Sequence, residues 1–458
     1  MGTTRRLYLY TVSLISLTVL AVGLFQLVEA VVITVLDALG PGTLLDDGAA
    51  DRGRFSLAIA LVVVGLPLFL SHWLLAERGA RGDGASSGQD RRSAIRAFHI
   101  AFVQAVAMVV IAIGAMGTIE WILGLALGAD TFGTVADELA MALVVTPIWV
   151  YHGWLRGRNL RTGHLAGAAA WWSRLYRYGA AYFGSLALMF GLSSLIATVL
   201  RMLIGPSDFG GDADWWRRSL SGAVAATLVG TAVWWIHWRD AQLVVADTEA
   251  IGEDDRDTRL RATYFGAVLL TTVSVVAFHA ASVIGEIGRW LLGVAEWSGT
   301  SAFLETVVGP PIATIPFIAG AWLSGRAHLR EATGRGAAAR AATEGLTLHL
   351  VALVGLTFLA FGLAQLGGLL VQTVLGVSDN LFNRAQVPWH AAQALVGLAL
   401  WLPSWAAILR RRTGAGRSEG ETVVSRAYLY LVVGAALIVG VPSAAFVLYR
   451  TIDAALGG

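Results

Sequence analysis

The sequence has no cysteine. That excludes disulfides, thiolate metal sites and a cysteine nucleophile, and it leaves the redox compartment undecided. It has no lysine either: all 33 basic residues are arginine. A GC-rich genome accounts for that more cheaply than function does. Together with 53 glycines and Ala-rich loops it points to a bacterial source. Charge is scarce, at 14% of residues against about 25% in soluble chains. The net charge of +2 gives no whole-molecule attraction to nucleic acid. Chemical motifs are missing as well. There is no P-loop, no His-Glu-x-x-His, no Gly-x-Ser-x-Gly, and no compact cluster pairing a nucleophile with a base. The expectation is a protein that is not an enzyme, with no cofactor and no metal site.

What the chain does have is apolar surface. Hydrophobic residues make up 56% of its 458 positions, and the mean hydropathy is +0.66. A soluble chain of this length divides into about three domains, yet no polar linker divides this one. A single transmembrane domain over 1–458 fits better. A membrane-crossing helix needs about 20 apolar residues. Eleven segments supply them, near 7–35, 55–76, 97–127, 138–155, 175–204, 219–238, 262–293, 307–325, 346–375, 389–409 and 427–449. Arg5-Arg6 before an apolar run, with Val28-Glu29-Ala30 downstream, has the form of a signal peptide and its cleavage site. The run is too long for a signal core, however, and the same opening starts later segments, so it reads as a true first span.

Arginine placement sets orientation. With the N-terminus inside, 25 of the 33 arginines fall on the cytoplasmic side, and the opposite side keeps eight, among them Arg217, Arg218 and Arg384. The expected localisation is a bacterial plasma membrane, with the N-terminus cytoplasmic and the C-terminus outside. Cytoplasmic loops such as Arg78 to Arg92 and Arg326 to Ala342 are polar and rich in Gly, Ala, Arg and Ser. The acidic run Ile251-Gly252-Glu253-Asp254-Asp255-Arg256-Asp257 reads as a solvated loop face.

Three landmarks recur. An Arg-aromatic opening appears as Arg5-Arg6-Leu7-Tyr8-Leu9-Tyr10, Arg96-Ala97-Phe98, Arg174-Leu175-Tyr176-Arg177-Tyr178, Arg261-Ala262-Thr263-Tyr264 and Arg426-Ala427-Tyr428-Leu429-Tyr430, with a degenerate copy near Gly345. A Gly that ends the odd-numbered helix appears at Gly40, Gly128, Gly205, Gly293 and Gly376, each soon followed by a polar or acidic residue. A His-Trp ending of the even-numbered helix appears as His72-Trp73, His152-Gly153-Trp154 and His237-Trp238, with variants Ala321-Trp322 and Ser404-Trp405. Markers at consistent offsets make a repeat. The expected fold is all-α: a polytopic membrane protein of 11 transmembrane helices, arranged as five parallel-orientation helical hairpins plus one extra helix. The units run approximately 5–81, 95–161, 173–243, 260–330 and 344–412, with a half unit at 425–458. Units that enter and leave on one side are parallel repeats, unlike inverted-topology transporters.

The Arg-Leu-Tyr-Leu-Tyr openings, the Pro67-Leu68-Phe69-Leu70-Ser71-His72-Trp73 type of ending and the tandem hairpins resemble an uncharacterised family of bacterial multi-pass membrane proteins, known as a domain of unknown function. The resemblance covers nearly the whole chain and implies no chemistry. The fourth and fifth units lack the His, and the fifth also lacks the opening Arg.

Seven residues are polar candidates, each with a plainer reading beside the functional one. His72, His152 and His237 hold equivalent places. They would bind a metal or relay protons if the units ring a common axis, and would sit beside Trp at the membrane interface if they do not. Glu29, Glu120 and Glu286 fall 23–25 residues after their opening arginines, about 35 Å up a helix. That depth favours an interfacial carboxylate over a proton or cation site. His279 lies deeper and is the best single candidate for a buried polar contact. Gln26, Gln104 and Gln365 are expected to hydrogen-bond between helices. Pro67, Pro147 and Pro316, each five residues before the ending, can kink the even helices. The outer acids Asp46, Asp47, Asp51, Asp208, Asp212 and Asp214 match no EF-hand spacing. The functional expectation is a structural or interaction protein of the membrane. Its partners are the lipid bilayer and a membrane protein or second copy, with no nucleic acid and no identified ligand. The alternative is a small-molecule or ion transporter or channel with a path along the repeat axis.

Overall fold

The computed structural model describes residues 2–39, 48–81, 85–129, 135–161, 167–204, 215–246, 259–295, 299–334, 337–374, 380–413 and 419–456. The described residues are helical, with no strand among them. The eleven long helices are α1 (Thr3–Leu39), α2 (Gly48–Arg81), α3 (Ala94–Leu127), α4 (Ala136–Arg161), α5 (Ala168–Ile204), α6 (Trp215–Val245), α7 (Arg259–Leu291), α8 (Thr300–Gly334), α9 (Ala337–Val374), α10 (Asn380–Thr413) and α11 (Glu419–Ala455). A seven-residue helix, Ala85–Arg91, bridges α2 and α3. Each expected span lies inside one of these helices or ends within two residues of one. Each helix begins before its apolar stretch, by about a turn or more in most, because lipid leaves backbone hydrogen bonds no partner outside the helix itself.

Ten of the eleven are long and apolar enough to cross a membrane, and α4 is the exception. Its last half carries Trp149, Tyr151, His152, Trp154 and Arg156, which lower its hydropathy. At 26 residues and about 1.5 Å per residue it still has the length to cross. Helix α8 is broken near its start. A π turn at Leu304–Val308 precedes Gly309–Ala313, and the regular helix resumes at Ile315. Pro310, Pro311 and Pro316 cause the break, since none donates a backbone hydrogen bond. Pro67 and Pro147, by contrast, sit inside unbroken helices.

Two of the expected glycine stops are visible. Gly128 and Gly293 adopt φ of 71° and 68°. At each, the Gly N–H and the next residue's N–H bond back to carbonyls three and five residues earlier, the double closure that ends a helix in a left-handed residue. Gly40, Gly205 and Gly376 lie outside the described residues, as do the acidic run at 251–257 and Asp46, Asp47, Asp208, Asp212 and Asp214; the side chain of Asp51 is likewise not described.

The chain divides into two compact units, Met1–Tyr264 and Phe265–Gly458, with the boundary inside α7. In the first unit, consecutive helices pair as hairpins, and α3 packs on α1, α4, α5 and α6. In the second unit α9 pairs with α10, and α11 rests on α9. The pairs close on glycine. A Cβ at Gly184 would overlap the Trp234 backbone, and one at Gly230 would overlap Leu188, so α5 and α6 touch backbone to backbone. Gly355 and Gly397 do the same for α9 and α10. Small residues are what let helices approach where water supplies no driving force. Replacing Gly184 by Val is expected to destabilise the fold by about 1–3 kcal/mol through overpacking. Gly179→Ala, where nothing lies within 4 Å, should not; detergent-induced unfolding in bicelles measures the difference.

Candidate functional site

The starts of the odd-numbered helices and the ends of the even-numbered ones meet at the Arg-rich end of the first unit. Three side chains there are the largest fully buried ones among the described residues: Arg96, Arg177 and Arg261, 0%, 1% and 1% exposed. All three stand in the Arg-aromatic openings, where the sequence counted them only as charges on the cytoplasmic side. A buried guanidinium must be paired, since leaving one partnerless costs several kcal/mol. Arg96 of α3 donates from Nη1 to Glu77 of α2 and, at 3.1 Å, to the Tyr10 hydroxyl of α1. Arg177 of α5 and Arg156 of α4 both donate to Oδ2 of Asp240 in α6, at 3.1 and 3.0 Å. Arg261 of α7 donates to the Tyr178 hydroxyl of α5 at 3.3 Å and lies 5.2 Å from the Trp238 ring centre. Arg6 of α1 donates to Asp90 at 2.6 Å. These contacts bring the starts of α1 and α3, and of α5 and α7, together at one end, so the hairpins are parallel.

Tryptophans join the same layer. Trp73 donates to the Tyr151 hydroxyl at 2.8 Å, Trp149 to Tyr176 at 2.8 Å, and Trp234 to Tyr264 at 3.3 Å. The last two link the end of one hairpin to the start of the next, from the Trp three residues before the ending to a Tyr two or three residues after the opening Arg. In the second unit Trp401 and Trp405 pack with Tyr428 in the equivalent place.

The three expected histidines each donate from Nδ1 to the carbonyl four residues back, Leu68, Ile148 and Val233, at 2.8 Å. Their Nε2 atoms differ. His72, half-buried, lies 3.3 Å from the Tyr8 hydroxyl, and His237, buried, lies 2.8 Å from that of Tyr176. In the intervening hairpin the aromatic of the opening is Phe98, which has no hydroxyl and instead stacks on Phe102 and meets Trp172 edge-on. The His152 Nε2 is buried without a hydrogen-bond partner. His99 of α3 meets it, with ring centres 6.0 Å apart, and its own Nε2 is likewise unpartnered. Among the described residues no three His, Cys, Asp or Glu side chains gather as metal ligands would.

The acids have separate partners. Glu29 is buried and takes two bonds from Arg54 Nη2, at 3.0 and 3.2 Å. Glu120 is exposed beside Gly222. Glu286 accepts from Arg289 at 3.0 Å. His279 is half-buried and bonds the Val275 carbonyl of its own helix at 2.8 Å. Of the glutamines, Gln365 is exposed, and Oε1 of both Gln26 and Gln104 is buried without a partner, contrary to the expected interhelical bonds. Glu77, Asp240 and His99 escaped the sequence reading. The signal that finds the two acids is an acid three to five residues past a His-Trp ending.

Over the first five openings the residue four places on alternates in character. Tyr10 and Tyr178 hold Arg96 and Arg261 of the next hairpin, and His349 bonds the Ser425 hydroxyl at 3.1 Å. The intervening openings have Ile100 and Phe265 there. The contacts therefore repeat every two hairpins. Replacing Arg96 by Met, or Glu77 by Gln, is expected to cost about 3–5 kcal/mol, as breaking a buried pair does. Removing both by Arg96→Leu with Glu77→Leu should recover most of the loss. A double-mutant cycle of unfolding free energies checks this.

Comparison with known proteins reaches a family. The family model described as Domain of unknown function (DUF5671) matches residues 6–134, 102–210, 174–320 and 346–458. No curated protein and no solved structure matches. Three of the four matches begin at 6, 174 and 346, at the openings that carry Tyr10, Tyr178 and His349. With ten helices able to cross a membrane and family matches over nearly its whole length, the chain is a multi-pass membrane protein that belongs to the DUF5671 family.

Proposed function

We propose that the protein is a non-enzymatic structural or interaction protein of a bacterial plasma membrane. Its N-terminus is cytoplasmic and its C-terminus outside, and its partner is another membrane protein or a second copy. The observation that carries this reading is the division of labour inside the first unit. Buried charged groups there join helix to helix, while three cavities between helices, of about 240, 360 and 300 Å³, are lined almost wholly by apolar side chains. A conduction path favours the reverse, with polar groups facing a cavity. One observation favours the second reading, transport along the repeat axis. The buried Oε1 atoms of Gln26 and Gln104 have no partner, as groups that line a polar path would.

Two measurements test this. Purified protein in liposomes should pass no protons, cations or small solutes above empty vesicles, and in-membrane cross-linking should give discrete higher-mass species. Protein-dependent flux would favour transport, and a chain that stays monomeric would count against the interaction role. Orientation is open to single-cysteine labelling without background, because the chain has no cysteine. In intact cells Ser298→Cys should react with an impermeant maleimide and Ser418→Cys should not. The opposite pattern would invert the topology.

A further inference from the structure

We propose that His99 and His152 form a binding site for one hydrogen ion, shared between their Nε2 atoms where α1, α2, α3 and α4 meet. The site is independent of the structural role above.

The first support is the way each ring is fixed. The His152 Nδ1 donates to the Ile148 carbonyl at 2.8 Å, and the His99 ring lies against Tyr10, with ring centres 5.3 Å apart. A carbonyl only accepts, so the ring nitrogen bonded to it carries the hydrogen. In the neutral ring the other nitrogen then presents a lone pair. Both Nε2 atoms are without a partner, in side chains only 2% and 1% exposed. Buried acceptors of this kind are normally satisfied. Here two of them lie on rings whose centres are 6.0 Å apart. One added proton makes one ring a donor and lets it reach the other, directly or through a water.

The repeat supplies the second support. His72 and His237 each face a Tyr hydroxyl that donates to Nε2. At the equivalent place for His152 stands Phe98, which turns away toward Phe102 and Trp172. Only this hairpin of the three has exchanged the donor for a second imidazole.

Polar and charged groups face the pair from each helix packed against it. Tyr10 faces the pair from α1. Trp73, Glu77 and Arg81 lie on α2, Arg96 and Gln104 on α3, and Tyr151 on α4, with Asp90 of the bridging helix near Tyr10. Arg96 is matched by one oxygen of Glu77. The other oxygen, Oε2, has only Arg81, at 3.9 Å, and forms no hydrogen bond. Gln104 Oε1 is a further free acceptor. The proton comes from water at the Arg-rich end and returns there, with no covalent change.

The pair has a built-in reporter. Trp73 stacks on His99 at 5.3 Å and lies 5.5 Å from His152, so an imidazolium at either place alters its environment. The test uses the full chain in nanodiscs with ¹⁵N-labelled histidine and fluorinated tryptophan. The Trp73 signal is assigned with Trp73→Phe and the ring signals with His99→Gln and His152→Gln. The expected result is one joint titration of both rings with uptake of one proton, reported by Trp73. Loss of either ring should weaken proton binding by the other at least tenfold. If a Gln variant does not fold, the two ring signals are assigned by their through-space contacts to fluorinated Trp73, and their joint movement in the unaltered chain decides the matter. Separate titrations indifferent to each other, or no protonation at any pH where the chain stays folded, would overturn the proposal.

Discussion

The structure depends on burying arginine where one helix begins and another ends. Arg96, Arg177 and Arg261 sit out of contact with solvent, so each demands oxygen ligands or an aromatic face from a neighbouring helix. Such a demand can be met only when the helices are in register. Replacing buried pairs by apolar residues is often neutral or stabilising, so these contacts are better understood as fixing which helix meets which. Apolar helices in lipid have little else to distinguish one neighbour from another.

Away from this layer the packing follows a different rule. In the first unit α5 and α6 close through glycine, with backbones in contact at Gly184 and Gly230, and within the second unit Gly355 and Gly397 do the same for α9 and α10. Polar contacts therefore select partners at one end, and small residues hold them along the length. The two devices divide a task that hydrophobic burial performs in soluble proteins.

The repeat has two levels. Every hairpin has the same ending histidine or a variant of it, and tryptophans at Trp149 and Trp234 tie one hairpin to the next in the same way. The residue four places after the opening differs between the first four units, with Tyr10 and Tyr178 holding the next arginine and Ile100 and Phe265 standing at that place in between. Family matches that begin at 6, 174 and 346 follow the slower period. A pair of hairpins, rather than one, is the unit that these contacts define.

Eleven helices and their parallel pairing were legible in the sequence because lipid imposes a length and an apolarity on each one, and because arginine openings recur. Glycine stops at Gly128 and Gly293 were legible for a local reason, since each closes its helix with a left-handed residue. Side-chain surroundings were not. Arg96 reads in sequence only as an opening residue on the cytoplasmic side and is fully buried. His152 reads as a copy of His72 and His237 but meets His99, because Phe98 cannot donate and turns elsewhere. A helical pattern fixes the face a residue occupies, whereas its partner comes from another helix some twenty to ninety residues away, and only the packed assembly brings the two together.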